Sequence, residues 1–422
     1  MNKSKTTLLI IYNSFNDPLF QNLIFPYIST LSNNNFCKFN LITFEQKKYS
    51  NSFLKQKFIK TQLLKKGIIW YPLKFRTDKF LLLKKFINFF ELLILVYKII
   101  KTNRPKLIFS FTNIAGSFGI LISKIYNIPH LVYSYEPHSS FMYELGLWSN
   151  KSLNYIFLNA FERYLGKNSK YVLTGTKYMV NTLIQSGAKG KIFRAPSSVD
   201  ENLFCFSSDA RNRIRNRLNM TNKTVLLYLG KFGNLYYDKE IIKFFQLLHK
   251  QDSRFFFLIV TPSDKNVVHN YFGDFPINNN SYHVTEAYNP KQVIEFISSS
   301  DIGLTAIPPT PSQKYRSPLK TSEYLLCGLP YITCNGISED SDYARDHNIG
   351  LVIDNLDSID VSIISERINS LLLENKNSLR TRCREIGLIY RSKSNVDKIF
   401  FNIFNQIFSF SQSNSNSITT RH

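Results

Sequence analysis

Short apolar runs alternate with helix-patterned segments along almost the whole chain, and that alternation leaves few folds open. Runs at 8–12, 39–44, 67–71, 106–111, 130–135, 171–174 and 191–195 form a first series, with helical spacing at 17–32, 80–103 and 115–126. A second series runs through 224–230, 255–260, 282–284, 302–306 and 331–333, with helices expected at 239–250, 267–271 and 290–300. Strands that are apolar on both faces, each followed by a helix, predict parallel sheets covered on both sides. Two such series predict an α/β protein of two Rossmann-like, doubly wound parallel-sheet domains facing across a cleft. A length of 422 residues suits two domains, and 44% apolar residues suffice for two cores.

The polar, proline-containing break at Ala195-Pro196-Ser197-Ser198-Val199-Asp200 marks the boundary. The first domain is read as 1–198 and the second as 199–394. An amphipathic helix at 395–408 is expected to pack back on the first domain. The Ser/Asn-rich 409–422 is expected to be disordered.

Five cysteines without metal-ligand spacing (Cys37, Cys205, Cys327, Cys334, Cys383) read as free thiols of a reducing compartment. The opening residues read as a buried strand and not as a secretory signal. Lys84, Lys85, Glu91 and Lys98 interrupt the apolar run at 80–100, so it reads as a packed or amphipathic helix and not a membrane span.

The net charge of +23 is concentrated in the first half. Residues 1–200 hold 28 Lys and Arg against 8 Asp and Glu, whereas 201–422 hold 25 against 22. Lysines 47, 48, 55, 57, 60, 65, 66, 74, 84 and 85 are interleaved with Tyr49, Phe53, Phe58, Trp70, Tyr71 and Phe75. Such a surface suits anionic lipid, a phosphorylated lipid carrier or nucleic acid, or is simply a solvated lysine face. Signatures of a helix-turn-helix, zinc or RNA-recognition module are missing, so a nucleic-acid partner is not expected.

The densest local signal is Ser317-Pro318-Leu319-Lys320-Thr321-Ser322-Glu323-Tyr324-Leu325-Leu326-Cys327-Gly328-Leu329-Pro330. It reads as a loop, a helix opened by Pro318 and a stop at Gly328 and Pro330. Free N–H groups at that helix start, with Lys320 beside them, form an anion site suited to phosphate. Glu323, one turn on, is placed to accept hydrogen bonds from a sugar hydroxyl.

This stretch resembles the donor-site signature of retaining glycosyltransferases with the GT-B fold, in particular glycosyltransferase family 4. The resemblance makes Ser317, Leu319 and Lys320 contacts to a donor diphosphate and Glu323 a contact to the nucleotide ribose. The family's Glu-x7-Glu pair has Tyr315 at its first place here. Residues 191–204 resemble the family's interdomain linker, with Ser197-Ser198 in place of Asn-Gly. Residues 285–304 resemble the segment beside the nucleotide base. Lys231, in Gly230-Lys231-Phe232-Gly233, matches a family cation that neutralises the leaving group, and Lys239 is a weaker candidate for the family's second lysine. Glu136 and His138, after the strand at 130–135, match a place where relatives carry a catalytic His or acid. The usual Gly-Gly after the first strand is replaced by Asn13-Ser14-Phe15-Asn16.

The expected function is sugar transfer, with retention, from a nucleotide-diphosphate donor to a glycan or lipid-linked acceptor in bacterial surface polysaccharide synthesis. A cytoplasmic protein, peripheral on the inner face of the plasma membrane, is expected. No cofactor or metal is expected: Glu339, Asp340 and Asp342 read as a solvated acidic loop. A nucleotide-sugar epimerase-like enzyme, a non-enzymatic nucleic-acid binder and an inactive relative remain as alternatives.

Overall fold

The computed structural model describes residues 5–49, 51–76, 81–134, 136–233, 235–305, 307–356 and 360–416, excepting the side chains of 81, 82, 85 and 410–416. The chain forms two units, Met1–Ala195 with Val396–His422, and Pro196–Asn395.

The first unit is built on seven parallel strands: β1 (Thr6–Ile11), β2 (Lys38–Glu45), β3 (Ile68–Lys74), β4 (Leu107–Phe111), β5 (His130–Tyr133), β6 (Tyr171–Thr174) and β7 (Lys191–Arg194). Their spatial order is β3-β2-β1-β4-β5-β6-β7. Period-two alternation explains why the strands read as continuous apolar runs: each face has its own core. Leu9 and Ile11 of β1 pack with Phe20, Ile28 and Phe400. Leu8 and Ile10 pack on the opposite face with Leu92, Val96 and Ile122.

The second unit repeats the plan with β8 (Thr224–Leu229), β9 (Phe255–Val260), β10 (Tyr282–Thr285), β11 (Ile302–Leu304), β12 (Tyr331–Cys334) and β13 (Gly350–Ile353), in the order β10-β9-β8-β11-β12-β13. Strand order reverses beside β1 in the first sheet and beside β8 in the second. Crevices open outside the carboxyl ends of strands at such switch points.

Several elements differ from the sequence reading. The segment expected as one helix at 17–32 is two, Pro18–Leu23 and Phe25–Asn33, because Pro26 starts a second helix and cannot continue the first. Residues 53–65, where the lysines cluster, form a helix capped by Ser52. Glu339 and Asp340 are not solvated: they are 1% and 0% exposed, and the Asp340–Asp346 helix begins there. Asp340 is buried because it pairs with Arg391. The last helix, Lys393–Asn416, continues eight residues beyond the expected end at 408. Extending a formed helix needs no new nucleus, so Ser and Asn are tolerated in it. Its Val396, Phe400, Ile403, Phe404, Ile407 and Phe408 lie at helical spacing in the first unit's core. Among the described residues no helix is long and apolar enough to cross a membrane.

Candidate functional site

In the second unit the site grows from the carboxyl ends of β8 and β11 and from the helix Leu319–Leu326. That helix lies close over β11 because Gly303 has no side chain: a Cβ there would stand 2.8 Å from the Tyr324 ring. Pro318, the N-cap, has no side chain able to cap the helix, so its first amides point onward without one. After β8 the loop at Lys231 is held by the Tyr228 hydroxyl, which donates to the Lys231 carbonyl at 2.6 Å. Lys231, Lys320, Gly230, Thr261, Thr305 and Pro318 line one cavity of about 300 Å³. The two lysines singled out from sequence therefore converge, although 89 positions separate them in the chain. Tyr236 also lines this cavity, and Lys239 is not among its lining residues.

Glu323 is buried, and its Oε2 lies 2.9 Å from Lys320 Nζ. Burial raises the Glu323 carboxyl above its ordinary range, and Lys320 opposes that rise. Ser317 is engaged structurally. Its Oγ accepts from the Ser197 amide at 3.0 Å and from Arg391, while Ser197 Oγ donates to the Ser317 carbonyl at 2.7 Å. Leu319 is the first helical residue, and Tyr315 is half-buried in the short turn Gln313–Tyr315. The Arg391–Asp340 pair beneath this start carries no local sequence signal.

The first unit carries a cavity of about 320 Å³ outside the ends of β1, β4 and β5, lined by Tyr12, Asn13, Thr112, Asn113, Glu136 and His138 among others. Glu136 Oε1 lies 2.9 Å from His138 Nδ1, which orients the ring and leaves Nε2 as the nitrogen available to a ligand. Trp148 stands edge-on to the His138 ring at 6.0 Å. Glu162, which sequence reading missed, supports this loop. Its carboxylate accepts from Asn113 Nδ2 at 2.7 Å and from the Ser139 amide at 3.2 Å. Burial raises its carboxyl, with Ser139, Asn113 and His138 opposing. Thr112 adopts φ +78°, a conformation rare outside glycine that recurs at functional loops. A larger open depression, about 920 Å³ along β13, contains none of the sequence-predicted site residues. Among the described residues no group of three or more His, Cys, Asp or Glu is arranged to hold a metal ion.

The fold is GT-B, the two-unit architecture of a large class of glycosyltransferases. Residues 262–392 match the family described as glucosyltransferase 3-like, C-terminal domain, a span that contains Lys320, Glu323, Asp340 and Arg391. HepE from Anabaena, solved in complex with UDP, aligns at 14% identity over 96% of this chain and 100% of its own, with a TM-score of 0.67. Sucrose-phosphate synthase from Thermosynechococcus elongatus aligns at 13% identity over 96% and 99%, also at 0.67. A glycosyltransferase from Rickettsia africae aligns at 13% over 96% and 99%, at 0.64. No curated protein matches the sequence significantly.

Proposed function

We propose that this protein is a glycosyltransferase moving a sugar from a nucleotide-diphosphate donor to a hydroxyl of a glycan or lipid-linked acceptor. The observation that carries the reading is the convergence of Lys231 and Lys320 with an uncapped helix start on one cavity. Two cations and oriented amides suit a diphosphate, whose charge grows as it leaves. The family match over 262–392 supports the same reading, as do the fold neighbours, HepE having been solved with UDP and with UDP-glucose.

The reaction proposed is retaining. The bond between the anomeric carbon and the diphosphate oxygen breaks, and the acceptor oxygen bonds to that carbon on the same face. The acceptor proton passes to a phosphate oxygen of the leaving diphosphate. Lys231 and Lys320 stabilise that leaving group, while Glu323 contacts the ribose. In the first unit Glu136 and His138 are the candidates to orient a sugar hydroxyl.

Residues 46–77 contain nine Lys and Arg and no Asp or Glu, and the helix Phe53–Lys65 exposes Phe53, Leu54 and Phe58. Cations around exposed aromatics suit an anionic bilayer, so the protein is proposed to work on the cytoplasmic face of a membrane, where lipid-linked acceptors of surface polysaccharide are handled.

The test is a thermal-shift panel of UDP, GDP, ADP and CMP with their sugar conjugates, followed by NMR of the product anomer. A shift selective for one nucleotide and lost in Lys320→Ala is expected. A folded protein that responds to none of them overturns the reading.

A further inference from the structure

The helix Leu81–Thr102 is apolar on two sides. Its inner side packs on the first unit's sheet through Leu92, Val96 and Ile99, which are 0–3% exposed. One such stripe is all that a surface helix of a soluble protein needs. The outer side carries a second. Leu83, Ile87, Phe90, Ile94 and Tyr97 recur every three or four residues with Phe86 alongside, and all six are 40–63% exposed. They form one row about 20 Å long. Single exposed apolar side chains are ordinary, whereas a contiguous row marks a contact surface.

The next helix, Asn113–Tyr126, packs beside this one: the Phe89 and Phe118 rings stack with centroids 5.3 Å apart. Leu121 and Ile125, three and seven residues beyond Phe118, lie on the same side of that helix and are exposed. The charge around this surface is of one sign. Residues 81–126 contain seven Lys and Arg and a single acid, Glu91. Arg76 neutralises that acid, its Nη1 donating to Glu91 Oε2 at 2.6 Å. Lys98, Lys101 and Lys124 are exposed beside the row, and Lys101 Nζ stands 4.6 Å over the Tyr97 ring. A second copy of the chain would set cations against cations, since residues 1–200 hold 28 Lys and Arg against 8 Asp and Glu. An anionic bilayer neutralises the lysines and takes the apolar row below its headgroups.

We propose that the helix Leu81–Thr102 is a membrane anchor, lying in the plane of an anionic bilayer with Phe86, Phe90, Ile94 and Tyr97 inserted at the acyl boundary. This rests on the membrane reading above and extends it from attraction to insertion. Both this helix and the lysine-rich Phe53–Lys65 pack against β3, the edge strand, so the two effects act at one edge of the sheet.

The test is sedimentation of the full chain with mixed phosphatidylglycerol and phosphatidylcholine vesicles at ~0.5 M salt, where screening removes most surface electrostatics and leaves insertion. Phe86→Ser/Phe90→Ser and Ile94→Ser/Tyr97→Ser are each expected to weaken binding about tenfold or more, with Tm and nucleotide-diphosphate binding unchanged. Ile184→Ser/Leu373→Ser, which alters two exposed apolar side chains elsewhere, is expected to leave binding unchanged. Equal loss in that control, or full binding by both helix variants, overturns the anchor. So does a wild type that binds at low salt and not at ~0.5 M, which leaves the lysine-helix attraction standing. Sedimentation velocity without vesicles gives a further arm: a wild-type dimer that both helix variants make monomeric assigns the row to a second copy and overturns the anchor. A wild type that binds no anionic vesicle at any salt overturns the membrane reading itself, while nucleotide binding tests the donor reading separately.

Discussion

Arg391, at the end of the helix Lys376–Arg391, and Asp340, at the start of the helix Asp340–Asp346, form an ion pair with both side chains 0% exposed. Arg391 also reaches Ser317 Oγ and the Ser197 carbonyl, and Asp340 accepts from Thr321 Oγ1 at 2.6 Å. The pair therefore ties the linker, the last helix of the second unit and the start of the proposed donor helix together. Desolvation consumes much of a buried pair's Coulomb gain, so losing one partner is worse than losing both. Asp340→Ala is expected to cost about 3–5 kcal/mol in urea unfolding, and the double variant Asp340→Leu/Arg391→Met to recover much of it. Equal losses in the single and double variants would contradict this account.

Glu323 gives the second unit a pH dependence of unusual sign. Burial raises its folded carboxyl above the ordinary value of 4.5. The folded state then binds the proton more tightly than the unfolded chain, so stability is fullest below that value and falls as pH rises through the raised one. Glu323→Gln is expected to flatten Tm against pH on the alkaline side of 4.5. Lys320→Ala is expected to steepen it, since the cation opposing the rise is gone, and to abolish binding of the nucleotide diphosphate that the thermal-shift panel selects. A Tm profile identical in all three proteins would remove both claims.

His130 works in the opposite direction in the first unit. It is buried on β5, with Nε2 3.1 Å from Ser110 Oγ, and burial lowers its pKa from 6.5 to about 3. The unfolded chain binds the proton first, so stability is lost as pH falls from about 6.5 toward 3. His130→Gln is expected to make acid unfolding of this unit shallower, read by circular dichroism between pH 7 and 3. Gly119→Ala places a Cβ 2.6 Å from His130 Nε2 and is expected to destabilise by about 1–3 kcal/mol.

Gly303→Ala tests whether the donor helix must lie close on its sheet. The new methyl meets the ring of Tyr324, which is 0% exposed and cannot swing into solvent. A cost of about 1–3 kcal/mol and weakened nucleotide-diphosphate binding are expected, because the displaced helix carries Lys320 and Glu323. Undiminished nucleotide-diphosphate affinity would show that the helix position does not govern the site.

The lysine-rich helix makes a separate prediction. Reversing the charge at Lys55, Lys57, Lys60, Lys65 and Lys66 is expected to weaken sedimentation with phosphatidylglycerol vesicles by about 1 kcal/mol per residue, with little change on neutral vesicles. Phe53→Ser with Phe58→Ser is expected to reduce vesicle binding at high salt, where charge is screened. Unaltered vesicle binding in both variants would sink the membrane claim.

By itself the sequence determined the alternation of strands and helices, and with it two parallel sheets, because strands buried on both faces need continuous apolar runs. It also placed Lys231 after a strand, Lys320 at a helix start and Glu323 one turn further on, since glycine and proline punctuate those turns locally. Among the elements that escaped it, the β13 strand has an apolar run of only Gly350–Ile353, and the helix Phe53–Lys65 has a face of mixed lysine and phenylalanine. Tertiary structure alone decided which polar groups are buried and with whom. Glu339 and Asp340 look like solvent-facing charge until Arg391, 51 residues beyond Asp340, lies against them. Likewise Glu162 meets Ser139, and Gln313 loses its water, only through contacts between segments far apart in the chain. A side chain's charge and shape are local properties, whereas its desolvation and its partners are set by the packing of the whole fold.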